Sequence, residues 1–92
     1  MEQAGTANVG SSSTNVMQAT VIFAEPFTSI PVVAANALQN DPGFPSGGIN
    51  DTFAVSITSV STTQFTANIC RVDIPGNGWG QDLFLGYNAI TP

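Results

Sequence analysis

From Val16 onward the chain alternates apolar and polar positions with a period of two. Met17, Ala19, Val21 and Phe23 fall on one side of an extended segment, and Gln18, Thr20 and Ile22 on the other. Such alternation buries one face of a β-strand. The branched and aromatic run Thr20-Val21-Ile22-Phe23 suits a pleated surface, and Pro26 ends it. Pro31 to Leu38 reads as a second strand that begins at a proline. Three more follow: Phe53, Val55 and Ile57 alternate with Ala54, Ser56 and Thr58; Phe65, Ala67 and Ile69 with Thr66, Asn68 and Cys70; Leu83, Leu85, Tyr87 and Ala89 with Phe84, Gly86, Asn88 and Ile90. No segment keeps a 3.6-residue period over three turns. The pattern predicts an all-β chain of five or six antiparallel strands in a small β-sandwich.

The connections sharpen this picture. Ser61-Thr62-Thr63 is short enough for a hairpin, so the Phe53 and Phe65 strands should be antiparallel neighbours. Residues 40–50 hold two Pro and three Gly, and residues 73–80 one Pro and three Gly. Both are turn chemistry, in loops long enough to carry function. Residues 1–15 differ from the rest. They are small and polar, with little to bury, and read as a flexible N-terminal arm ahead of a sandwich over residues 16–92. The arm is either a frayed end or an anchor that orders on a partner.

Composition then removes whole classes of function. Of 92 residues only 8% are charged, against about 25% in an ordinary soluble domain. Polarity comes instead from ten Thr, eight Ser, eight Asn and five Gln, about a third of the chain. Arg71 is the only cation against six acids. One guanidinium neutralises too few phosphates to hold nucleic acid, or anionic lipid at a membrane surface. One cysteine closes no internal disulfide. The opening Met1-Glu2-Gln3-Ala4-Gly5-Thr6 has neither a basic nor an apolar stretch, so no signal peptide is expected. No apolar run reaches membrane-spanning length, so no membrane insertion is expected.

Few residues offer chemistry. There is no His and no Lys, and Cys70 sits in a strand pattern without a base beside it, which suits a buried structural thiol. Asp41, Asp51, Asp73 and Asp82 lie in or beside loops with no motif linking them. No enzyme activity, metal or cofactor is therefore expected. Trp79 lies in the Gly-rich loop and Phe44 between two prolines. Each fits a glycan contact, a protein contact or local packing. Arg71 should be ion-paired with an acid, such as Glu25 or an Asp of a neighbouring protomer, because an unpaired buried charge is costly. Apolar residues also occupy second strand faces, at Ile22, Val60, Val72, Phe84 and Ile90. About 75 residues without disulfide or metal make a marginal core, and a second apolar face needs a partner; a homotrimer is expected.

The block Val21-Ile22-Phe23-Ala24-Glu25-Pro26-Phe27 followed by Ile30-Pro31-Val32-Val33 resembles the opening of the H-type lectin domain of snail agglutinins and discoidins. So do the hairpin Val60–Ala67, with its Phe65-Thr66-Ala67 strand, and the closing Leu83–Ile90. The resemblance implies a six-stranded antiparallel sandwich assembled as a trimer. It also implies binding of N-acetylgalactosamine-type sugars between protomers. The family's sugar-binding Arg corresponds to Thr52, beside Asp51, and its Trp-His pair to about Val72-Asp73. None is matched, so the sugar site does not carry over. Asp51 or Asp73 would have to bind hydroxyls in a different way. Similar domains occur in bacteriophage structural proteins. The resemblance therefore implies a non-enzymatic virion surface protein of capsid-decoration, head-fibre or tail-tip type, attached to other virion proteins through the arm. Host glycan contact fits that role. The alternative is a free-standing soluble lectin binding through Trp79 and the Asp51 or Asp73 region.

Overall fold

A computed structural model describes residues 1–39, 45–46 and 49–92. Its strands are β1 (Glu2–Ser12), β2 (Val16–Ile22), β3 (Val32–Leu38), β4 (Pro45–Ser46), β5 (Ile49–Asn50), β6 (Phe53–Val60), β7 (Gln64–Arg71) and β8 (Trp79–Ile90). Two three-stranded antiparallel sheets form, ordered β1-β8-β3 and β2-β7-β6, while β4 and β5 pair with each other. The architecture is all-β and compatible with a small β-sandwich.

The alternation read from the sequence sets the inner faces. In β7 the burial pattern puts Phe65, Ala67, Ile69 and Arg71 inward. In β8 it puts Leu83, Leu85 and Ala89 inward. With Val21, Phe23, Phe27, Val9 and Trp79 the apolar ones among these form one core. Phe23 packs edge-on against Phe27, with ring centroids 4.9 Å apart. The β6–β7 hairpin forms as expected, closed by Ser61 N–H to Gln64 C=O at 2.8 Å.

The N-terminal segment overturns the expectation of a flexible arm. Glu2–Ser12 is the edge strand β1, antiparallel to β8 from Glu2↔Ile90 to Ser12↔Trp79. Small polar side chains do not prevent this, because ladder hydrogen bonds join backbone groups and an outer face tolerates Ser, Thr and Asn. Only Val9 needed burying, and it is 9% exposed. The register slips around Gly10, whose φ of 83° is a conformation that favours glycine. Residues 2–12 are thus spent within the sheet, and the anchoring arm assigned to residues 1–15 is not free. Both chain ends meet here: the Met1 amino group donates to Thr91 Oγ1 at 3.0 Å. The opposite end gathers residues 13–15, Asp51–Thr52 and 72–78.

Candidate functional site

Arg71 is the last residue of β7 and, by strand alternation, points inward. It is 9% exposed, so its charge has to be met locally. The chain does this with two carboxylates from different loops. Arg71 Nη2 donates to Asp51 Oδ1 at 2.9 Å, and Nε to Asp73 Oδ1 at 3.0 Å. A second bond from Nη2 reaches Asp73 Oδ2 at 3.2 Å, making the Asp73 contact bidentate. Nη1 donates to the Gly78 carbonyl at 2.7 Å. The expected ion pair forms within the chain, with Asp51 and Asp73 as partners rather than Glu25.

Two amides complete the group. Gln81 is 1% exposed, and its Nε2 donates to Asp51 Oδ2 at 3.0 Å and to Gln39 Oε1 at 2.9 Å. Gln39 Nε2 donates to the Asp51 carbonyl. Gln81 Oε1 has no hydrogen-bond partner among the described residues. Its amide orientation follows from Asp51, since only an N–H can face that carboxylate. Backbone bonds tie in the rest. Thr52 N–H donates to Asp73 Oδ1 at 3.1 Å, Val72 N–H to Thr52 C=O at 2.9 Å and Arg71 N–H to Asn15 C=O at 2.9 Å.

The electrostatics follow from this geometry. The hydrogen bond from Arg71 lowers the Asp73 carboxyl from 3.8 to about 2; burial opposes it, and the Thr52 N–H adds to it. The hydrogen bond to Asp73 raises the Arg71 guanidinium, partly offset by burial and reinforced by the charge of Asp51. Asp73 is thus held ionised against the cation and is not poised to move a proton near neutral pH. What the arrangement does is clamp three chain segments at one end of the molecule.

The other candidates fall elsewhere. Trp79 is 4% exposed and opens β8 instead of standing in a loop. Its Nε1–H donates to the Gly10 carbonyl at 2.8 Å, and its ring meets Phe53 edge-on at 5.0 Å. Of its three readings, local packing describes its position, and no open face is left for a ligand. Asp51 is 8% exposed and Asp73 stands at the rim, its side chain 27% exposed. Phe44 lies outside the described residues. Cys70 is half-buried on the outer side of β7, with Asn15 Nδ2 4.0 Å from its sulfur. Sequence reasoning missed Gln39 and Gln81. The signal was present at Gln81, a polar residue on the inner row of a strand otherwise carrying Trp79, Leu83 and Leu85.

Comparison with known proteins is narrow. No family model matches the chain, and no curated protein matches it. Among solved structures it is similar to the crystal structure of the tailspike gp61 of Pseudomonas phage phi297, with a TM-score of 0.67 and 20% sequence identity. The match covers 97% of this chain and 15% of that one. At that identity the likeness shows a shared fold, and the chain spans about a seventh of the tailspike's length.

Proposed function

We propose that this chain is a non-enzymatic component of a bacteriophage virion surface, of capsid-decoration, head-fibre or tail-tip type. In this reading it is built on an H-type lectin-like domain and works as a homotrimer. The fold likeness to a tailspike segment, running through nearly the whole of this chain, carries the proposal. Two antiparallel three-stranded sheets, the architecture that the H-type lectin resemblance implies, support it. So does a surface of hydroxyls and carboxamides with little charge. The role is mechanical: a rigid module tied at one end by the Arg71 clamp. Any host glycan contact lies outside Trp79 and Asp51, which are buried.

Peptide mass spectrometry and immunogold labelling of gradient-purified virions from producing cells test the proposal. The chain should co-purify with particles and be labelled at their surface. A chain found only in the soluble lysate would refute it. Saturable binding of the purified protein on a glycan array would then favour the free-standing lectin.

A further inference from the structure

The segment between β7 and β8 runs Asp73-Ile74-Pro75-Gly76-Asn77-Gly78 and holds the one Asn-Gly pair in a chain with eight Asn. Its path is fixed by a turn. Pro75 and Gly76, the latter at a φ of 81°, sit at the centre, and Asn77 N–H closes the turn on the Ile74 carbonyl at 3.3 Å. Pro followed by Gly at positive φ is type II turn chemistry. Asn77 is exposed, and among the described residues its backbone N–H makes its one hydrogen bond. The Gly78 N–H has no partner among the described residues, whereas the Gly78 carbonyl accepts from Arg71 Nη1 at 2.7 Å. A β-carbon on Gly78 would meet the Ser12 carbonyl, so the β1–β8 seam calls for glycine there.

We infer that Asn77 is a site of spontaneous covalent modification, in which the Gly78 amide nitrogen attacks the Asn77 side chain and the product loosens the Arg71 clamp. Asparagine is thermolabile because its carboxamide carbon lies within reach of the next residue's nitrogen. The reaction balances with solvent water alone. The Gly78 nitrogen loses its proton and bonds to Asn77 Cγ; the Cγ–Nδ2 bond breaks, and ammonia leaves with a proton. Water then opens the succinimide. Attack at Cγ gives aspartate. Attack at the former main-chain carbonyl carbon gives isoaspartate, whose backbone runs through Cβ and Cγ. The fold favours the first step in three ways: the attacking nitrogen is unbonded, the carboxamide stands in water, and no β-carbon on Gly78 shields the approach. The glycine that packing against Ser12 requires is thus the glycine that makes Asn77 labile. The two products differ in consequence. Aspartate places a charge at an exposed position and leaves the chain path as it was, which costs little. Isoaspartate lengthens the main chain by one atom just before Gly78. That shift moves the Gly78 carbonyl away from Arg71 Nη1, a charge-assisted bond that holds the clamp, and disturbs the contact with Ser12.

Ageing of the purified full chain tests the site. The folded protein is held in mildly alkaline buffer below its melting temperature, then unfolded and cut with trypsin, which releases residues 72–92 because Arg71 is the only basic residue. Electron-transfer fragmentation of that peptide separates Asn, Asp and isoaspartate. Asn77 should convert several-fold faster than Asn88 in the same peptide, mainly to isoaspartate, and faster as pH rises. Asn77→Ser should abolish the conversion. The aged chain, isolated by ion exchange, should melt at a lower temperature than the wild type, whereas Asn77→Asp should melt with the wild type. Conversion at Asn77 no faster than at Asn88, or an intact Asn77 where a synthetic peptide of residues 72–80 converts, overturns the site. An isoaspartate chain that melts together with Asn77→Asp overturns its link to the clamp. None of these outcomes bears on whether the chain is found on virions.

Discussion

At the scale of single residues, Arg71 and its two carboxylates concentrate most of the consequence. Arg71→Met removes the cation and leaves Asp51 buried beside a hydrophobic side chain. Breaking a buried pair from one side costs about 3 kcal/mol, and Asp73 at the rim relaxes more easily than Asp51. A urea melt should show that loss, larger than for Asp73→Asn. The acid response has a defined sign. The Asp73 carboxyl is depressed in the folded chain, so its stabilisation is full above its ordinary 3.8 and disappears as pH falls toward about 2. Thermal midpoints of the wild type should drop across that window, and Asp73→Asn should flatten the drop. An equal drop in the variant would mean another group is responsible. The pairing of Arg71 was legible from its solitude in the sequence; its buried partner Asp51 was not, because Asp51 is brought to it only when β6 and β7 register.

At the scale of elements, β1 is the lesson. Its residues have no strand propensity to speak of and little to bury, and a local reading makes them an arm. What orders them is the long ladder with β8, which no window of neighbouring sequence reveals. Removal of residues 1–12 should therefore bare one side of β8 and the Trp79 ring, and abolish cooperative unfolding by circular dichroism. A free arm would come away with the melting curve unchanged. The seam is also tight. A β-carbon on Gly78 would collide with the carbonyl of Ser12, which is backbone and cannot turn aside. Gly78→Ala should cost on the order of 1–3 kcal/mol in chemical denaturation, as overpacking does. Near-wild-type stability would show that the β1–β8 seam is looser than the structure has it.

For the whole molecule, topology makes the chain close on itself. β1 and β8 pair across nearly the full sequence, and Met1 meets Thr91 at one end while the Arg71 clamp holds the other. Pairings that distant make folding slow, because loop entropy is lost before the contacts repay it. Refolding followed through Trp79, whose indole bonds to Gly10 across that seam, should take milliseconds to seconds. A microsecond phase carrying the full Trp79 signal would contradict this.

The sequence by itself determined the β class, the inward rows of β2, β7 and β8, the β6–β7 hairpin and the scarcity of charge. Each of these is written in period-two spacing, in turn residues or in a simple count, and so is local. The tertiary structure alone decided that residues 2–12 are a strand, that Trp79 is core, and that Gln81 and Gln39 belong with Arg71. Those depend on which distant segments pair and in what register. That choice minimises unpaired backbone and buried charge over the whole chain, and no local pattern contains it.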